Sequence, residues 1–497
     1  MSFGEDLDKL VEEHSDGLVG KHPTWERVAL KDVTGLVNGF AYKSGHFQET
    51  DGTPLLRIRD ILKGVPGTRY NAPVDDPKMK TVSDGEIVIG MDGDFNSTIW
   101  KGGQALINQR VCSLKANEAV YSQKLLAYAL PGYLKLINDH TSSVTVKHLS
   151  SKTIQDIPLP LPPFEEQKRI VEKIDMLFAR LDKGEEAVRE VSRLLTRYRQ
   201  SVLKSAVTGQ LTADWRAQRE GGLEDGAEVL ARILKTRREN REGRGKYKEP
   251  QEPNLTDLHD LPEGWVWASV EQLAKVIGGL TKNSKRKEMP LRRPMLRVAN
   301  VYQNRLELDD VHDTGVKENE LARVLLEPRD LLVVEGNGSK GQIGRMAIWS
   351  GEIPNAVHQN HLIKVRLYEK ALAEFLITWF QSMMGRQIVE RVASSTSGLY
   401  TLSISKIEAL VAPLPSQEEI SEIMTQVEEA FTKIDALERW CETELKRSAS
   451  LRQSILKDAF AGRLVPQDPN DEPASALLAR IATEKASTKK PRRKVPA

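Results

Sequence analysis

The sequence predicts an α/β (α+β) protein in which two similar globules are joined by two long antiparallel helices, a coiled-coil spacer generated by tandem duplication with a pseudo-two-fold relation. Three observations predict it. Leu161–Leu211 recurs at Leu414–Leu464 after a shift of 253 residues without a gap, and 16 of the 51 positions are identical. The segments ahead of these stretches repeat as well: Trp25 matches Trp265, and PLLRIRDI at Pro54–Ile61 matches PMLRVANV at Pro294–Val301, both at a shift of 240. Within the first stretch apolar residues recur at alternating steps of four and three, the spacing of a helix packed along another helix.

The first globule spans residues 1–160. Its first 22 residues read as a mobile or weakly helical lead-in. Strands are expected at Pro54–Arg59, Glu86–Ile89 and Val111–Leu114, separated by turns such as Asp92-Gly93-Asp94. A short helix is expected over Ala119–Leu130. SSVTVK at Ser142–Lys147 and the prolines of IPLPLPP close the segment.

The first spacer helix occupies 161–211. Pro162 and Pro163 stand where a missing amide is harmless, Glu165 and Glu166 suit the positive end of a helix, and Gly209 offers a left-handed stop. Its expected packing seam is Ile170, Ile174, Leu177, Leu181, Gly184, Val188, Val191, Leu195, Tyr198 and Val202. Such a helix is roughly 60–65 Å long. Residues 212–260 supply a short helix, Ala227–Lys235, and a polar tract, Thr236–Pro253, whose composition is that of a flexible linker.

The second globule spans 261–413 and parallels the first: DLLVVEGNG (Asp330–Gly338) answers EIVIGMDGD (Glu86–Asp94), and SSTSGLYTLS (Ser394–Ser403) answers SSVTVKHLS (Ser142–Ser150). The second spacer helix, 414–464, has the seam Ile423, Val427, Ala430, Ile434, Leu437, Cys441, Leu451 and Ile455. Glu444 and Ser448 interrupt it, so its middle packs loosely or meets a polar partner. Residues 465–497 give a short helix (SALLARI, answering AEVLARI at Ala227–Ile233) and a basic tail.

Two long amphipathic helices could instead be core packing in an all-helical domain. If they lie side by side in opposite senses, similar globules sit at opposite ends of a spacer. That geometry suits a target made of two half-sites, which on duplex DNA are set by a turn of about 34–36 Å.

The chemistry-bearing motifs are sparse. GNGSKG at Gly336–Gly341 is followed by a strand-like run and reads as a hairpin turn, not a dinucleotide site. No P-loop, H-E-x-x-H or N-P-P-aromatic sequence occurs, and two cysteines cannot build a zinc site. A formal net charge of +2 requires any nucleic-acid surface to be a local patch. With no apolar run of membrane length and no secretory signal, the expected compartment is the reducing cytoplasm.

Candidate DNA contacts are the basic patch at 282–287 with its counterpart at 42–43, the exposed turn at 337–340, and the polar residues that recur in both globules. In the first these are Tyr42, Lys43, Asn108, Gln109, Arg110, Ser142, Ser143 and Lys147. In the second they are Lys282, Asn283, Lys285, Arg286, Lys287, Asn337, Ser339, Lys340, Gln359, Asn360, His361, Ser395, Thr396 and Tyr400. Asn and Ser among them could equally cap turns.

The Trp25/Trp265 openings, the PLPP-x-E-E-Q entry at Pro160–Gln167, the helix ends RQSVLKSAVTGQL and RQSILKDAFAGRL, and the closing ALLARI together resemble the specificity subunits of type I restriction–modification enzymes. The resemblance covers nearly the whole chain; it departs at Ile420, where the family carries Gln. It implies two target-recognition domains, each reading half of a bipartite double-stranded DNA site. It further implies that the helices set the gap and dock two methylation subunits, with restriction and translocation subunits beyond. S-adenosylmethionine, ATP and Mg2+ would reside on those partners, leaving this chain non-catalytic. A stand-alone DNA-modifying enzyme with a diverged site, or a protein-binding coiled-coil scaffold, are the competing classes.

Overall fold

The computed structural model describes residues 6–141, 146–219, 224–240, 246–396 and 399–488, with the backbone alone at 337, 340, 394–396, 399 and 484–488. The chain divides into two compact units, one of Met1–Val188 with Glu442–Ala497 and the other of Arg189–Cys441. Both boundaries fall inside the long helices, Phe164–Val207 and Gln417–Phe460. Each unit therefore contains one globule and half of each helix.

The first unit is built on a four-stranded antiparallel sheet in the order Thr34–Asn38, Val111–Ala116, Ile87–Gly90, Ser97–Ile99. A second sheet contains the parallel pair Thr53–Leu56 and Ala105–Ile107. A ribbon pairs Glu26–Ala29 with Pro158–Leu161. The second unit repeats this plan: Ala274–Ile277, Leu362–Leu367, Asp330–Val334 and Met346–Trp349 form the antiparallel sheet. Arg292–Leu296 runs parallel to Val357–His358, and Val266–Ser269 pairs with Val411–Leu414. In both, the central strands are buried along their length because helices or loops cover both faces.

The segment that follows each long helix supplies the last piece of a core. Val229 and Ile233, on the helix Gly226–Glu239, are buried with Trp265 in the second unit. Leu477 and Ile481, on the helix Ala474–Thr488, are buried with Trp25 in the first. Fully burying each such side chain contributes about 1.5–3 kcal/mol. Gly209 and Gly462 end the long helices with φ of 69° and 70°, a conformation that costs glycine nothing.

Four sequence expectations are corrected. The lead-in holds a helix, Leu7–Glu13, capped by Asp6 and anchored in the core by Leu7 and Val11. The helix expected over 119–130 is Gln123–Asp139 and continues through Pro131. The hydrogen bond that proline cannot make is offset by burial of Tyr133, Leu134 and Ile137 beyond it. The tract expected to be a linker from Thr236 stays helical to Glu239, because Arg237 stacks on Tyr247 and bonds the Lys248 carbonyl.

The fourth concerns the seam. Ile170, Ile174, Leu195, Val202, Ile423, Val427 and Ile434 are buried, and Leu177, Leu181, Val188 and Ile455 half-buried. Val191, Tyr198, Leu437 and Leu451 are exposed, Tyr198 by 55%. Among the covered positions after Leu181 are 185, 188, 192, 195, 199, 202 and 206. Their steps of three and four keep the expected 3.5 average, but the positions between Leu181 and Val202 are displaced by one residue, because the step after Leu181 is four residues, to Glu185, and not three, to Gly184. Positions 184, 191 and 198 are thereby exchanged for 185, 192 and 199.

The seam therefore takes in charged side chains. In the second unit Arg199 donates to Asp435 and Glu438 and lies 4.7 Å over the Phe431 ring. In the first unit Arg452 donates to Asp182 and Glu185 and lies 5.1 Å over Phe178. These are the same four residues at a shift of 253, so one contact is made twice with the roles of the two helices exchanged. The contacts run antiparallel within each unit: Asp182 and Glu185 meet Arg452 and Ser448 in the first, and Arg199 meets Asp435 and Glu438 in the second. Ser448, which broke the expected seam, bonds Glu185 at 2.6 Å.

Candidate nucleic-acid interface

In each unit the end of one central strand, the turn before its neighbour, and a late loop converge. In the second unit the strands Gly336–Asn337, Leu399–Thr401 and Ser394–Thr396 form a small sheet, with Tyr400 opposite both Asn337 and Ser395. Thr396 lies in the same sheet, while Ser339 and the Lys340 backbone follow in the adjoining turn. Glu335 ties this sheet to the 359–361 turn: its amide donates to the His361 carbonyl, and its carbonyl accepts from Leu402. The turn is bonded to the 280 loop, since the Leu280 amide donates to the His358 carbonyl and the Asn360 amide to the Leu280 carbonyl. Asn337, Ser339, Gln359, Asn360, His361, Ser395, Thr396 and Tyr400 are thus brought together, and Lys282, Lys285 and Lys287 project from the connected loop.

Not every candidate is available for contact. Arg286 is consumed by Glu320, which it grips at 3.0 and 3.1 Å, and that guanidinium is the main reason the Glu320 carboxyl sits below the usual range. Asn283 caps the following turn by accepting from the Lys285 amide at 3.0 Å. Both are explained by the turn between Gly279 and Met289, which needs its ends tied.

In the first unit the corresponding loops carry Asn108, Gln109 and Arg110 beside Asp92 and His148. Arg110 donates to one Asp92 oxygen at 2.7 Å, and His148 Nδ1 lies 2.7 Å from the other. Lys43 is exposed on its loop. Tyr42 is buried against Tyr70 and Phe40, and burial pushes its hydroxyl up to about 12. Lys147 closes the end of the helix Gln123–Asp139, donating to the Asn138 carbonyl at 2.6 Å. Tyr42 and Lys147 thus serve the fold. Ser142 and Ser143 lie outside the described residues.

One arrangement occurs in both units. A carboxylate just after the central strand, Asp92 or Glu335, holds a cationic or ionisable side chain just before the neighbouring strand. Arg110 fills that place in the first unit and His361, 2.8 Å from Glu335, in the second. A side chain anchored on one side has less freedom to lose on binding; the other ring nitrogen of His361 lies 3.3 Å from the Asn360 amide. Sequence reading had Arg110 and His361 but missed Asp92, Glu335 and His148. The alignment of DLLVVEGNG with EIVIGMDGD placed both acids within one residue of each other, which was the available signal.

Behind these loops the helix starts are fastened by paired tryptophans. Trp25 Nε1 donates to Glu166 at 3.0 Å and Trp265 Nε1 to Glu419 at 2.9 Å. Burial raises the Glu166 carboxyl despite these bonds. At the position after each acid the copies differ: Gln167 bonds the Ser122 amide and the Val120 carbonyl, whereas Ile420 is buried in the second core. The departure from the family motif thus replaces a hydrogen-bonded contact by apolar packing. Among the described residues no group of histidine, cysteine or acidic side chains could hold a metal, and no helix is long and apolar enough to cross a membrane.

The model of the type I restriction modification DNA specificity domain matches residues 23–189 and again 262–439. The type I restriction enzyme EcoBI specificity subunit of Escherichia coli is 34% identical over 501 residues, which covers 98% of this chain and 98% of that one. The EcoKI specificity subunit of E. coli strain K12 is 27% identical, covering 94% and 97% respectively. In fold, the chain is similar to one solved in work on complex assembly and conformational transition of the type I R-M system. The TM-score is 0.58 at 16% identity, over 89% of this chain and 98% of that one.

Proposed function

Since the chain belongs to the family of type I restriction–modification specificity subunits, we propose that it reads a bipartite DNA site, one half per globule, while its long helices dock two methylation subunits. The observation that carries this reading is the carboxylate-held side chain present in both globules, Arg110 on Asp92 and His361 on Glu335. An arginine at such a place reads guanine O6 and N7, or a phosphate; a histidine whose Nδ1 faces a carboxylate presents Nε2 as an acceptor for a base amino group, in place of the Asn360 amide that lies 3.3 Å from it. Gln109 adjoins Arg110 in sequence, and Gln359 and Asn360 adjoin His361; with Lys43, Lys282, Lys285, Lys287, Ser339 and Tyr400 they complete the set of candidate contacts, and the exposed lysines among them suit phosphates. Two unlike anchors on like scaffolds fit a target whose halves differ in sequence.

Docking is supported by the exposed apolar side chains on the helices, Leu194, Tyr198, Leu437 and Trp440 in the second unit and Met176 and Leu451 in the first. On this reading the chain contributes specificity without catalysis in the cytoplasm. S-adenosylmethionine, with the adenine-methylating groups, and ATP with Mg2+ belong to the methylation and restriction subunits.

The test is to map methylated adenines across the genome of a host carrying the complete system. Arg110→Ala should relax the requirement at one position of one half-site, and His361→Ala at one position of the other, each by about 1–3 kcal/mol of discrimination. If both substitutions alter the same half, or neither alters any, the assignment of one half per globule fails.

A further inference from the structure

The second unit contains a cationic cavity that lies outside the loops described above. Its volume is about 1000 Å³, and lysine and arginine supply seven of its sixteen lining residues, aspartate and glutamate none. The cavity is built by the strand pair in which Lys275 stands opposite Arg366, by Arg323 from the neighbouring helix, and by the chain that returns at Lys246. That returning chain is strapped down. The Tyr247 ring lies 5.2 Å from the Arg237 guanidinium and 5.5 Å from that of Arg238, and Arg237 also donates to the Lys248 carbonyl. Lys246 and Lys248 are thereby held at the rim, both exposed. Arg366 and Lys370 are matched by Asp330 and Glu327 behind the wall. Arg237 is paired with Glu271 at 3.7 Å, whereas Arg323 donates to the Gly278 carbonyl. Lys364, buried beneath the same wall, is held down to about 8, first by burial and next by Arg366.

Like charges gathered in a concave wall cost free energy that a polyanion would return. Gly278, which Arg323 grips, stands four residues before Lys282, so the cavity and the loop carrying Lys282, Lys285 and Lys287 are consecutive along the chain. From this we infer that the cavity takes the phosphates of the DNA backbone flanking the half-site read by the second globule, contributing affinity without sequence preference. The inference rests on the reading above and extends it to a surface that touches no base. The first unit has no equivalent of the cationic strand pair, because Gly35 stands opposite Lys115 there. Backbone contact of this kind therefore belongs to one flank alone.

The experiment measures duplex affinity against salt for the full chain assembled with the methylation subunits, comparing wild type with the double variant Lys246→Gln/Lys248→Gln. On a random-sequence duplex the slope of log affinity against log salt should fall by about 1 for each lysine removed, and the ratio of target to random affinity should stay the same. Lys9→Gln, on the helix Leu7–Glu13, supplies a control for net charge and should leave the slope unchanged. An unchanged slope in the double variant overturns the inference. A loss confined to target DNA also overturns it, since backbone contacts do not discriminate. Calorimetric titration with tripolyphosphate separates the sources of phosphate: binding abolished by the double variant, together with an unaltered DNA slope, would make the site one for free polyphosphate and refute the DNA assignment. A wild-type complex that ignores bipartite sites would defeat the functional reading instead, and leave the random-duplex slope to judge the cavity.

Discussion

Arg452 in the first unit and Arg199 in the second make the same contacts, each with an aspartate, a glutamate and a phenylalanine ring. Arg110 and His361 occupy matching turns and are held by matching acids, yet they are different side chains. The difference follows from what each group faces. A contact between the two copies of a duplicated helix is made twice, so a change in one copy must be met by its partner in the other, the constraint of an isologous interface. A loop that faces an external target has no such internal counterpart and is free to differ between copies.

The largest effects should come from the tryptophans that fasten each helix start. Trp25→Ala and Trp265→Ala should each destabilise the protein by about 3–5 kcal/mol, measured by urea unfolding. The phenylalanine variants should cost about 1–3 kcal/mol, the penalty for leaving a buried carboxylate oxygen without its donor. A large cost at one tryptophan and a negligible one at the other would show that the two starts are not equivalent in energy.

Acid should separate the units. His358 is fully buried in the second unit, and burial holds its imidazole down to about 3. The unfolded chain takes up a proton near pH 6.5, whereas the folded chain does not until about 3. Stability from this group is therefore complete above pH 6.5 and is lost as pH falls through the window between those values, at up to about 1.4 kcal/mol per pH unit. The register of the first unit puts Ile107, also buried, at the corresponding place, opposite Leu56 as His358 is opposite Leu296. Hydrogen exchange at pH 5 should open the second unit first, and His358→Ile should remove the difference. If the first unit opened first, His358 would not be the controlling group.

The smallest effect probes the twin arginines. A double-mutant cycle on Arg199 and Asp435, and another on Arg452 and Asp182, should each give a coupling of about 0.5–1 kcal/mol that shrinks with added salt, because both pairs are partly exposed. Couplings that differ by more than twofold would mean that equal geometry conceals unequal surroundings.

Much of the plan was written in local patterns. Proline, acids and glycine marked the ends of the long helices to within a few residues, since each acts on the backbone at its own position. The repeats exposed the duplication because equal sequence folds to equal elements. Reading failed where the outcome depended on distant parts of the chain. Tyr42 and Lys147 were typed as contacts by polarity, yet Phe40 and Tyr70 enclose the one and Asn138 engages the other. Asp92, Glu335 and His148 went unnoticed because acids near a turn usually cap it, and only the approach of a second loop reveals a held donor.

Duplication, helix ends and strand-like runs were therefore legible one stretch at a time, as they rest on interactions within a few residues. Folding alone decided that the piece after each long helix completes the core of a unit, that a one-residue displacement after Leu181 and after Ile434 brings Arg199 and Arg452 into the seam, and that two carboxylates each hold a partner side chain. Those outcomes join residues tens to hundreds of positions apart, and sequence spacing carries no measure of such distances.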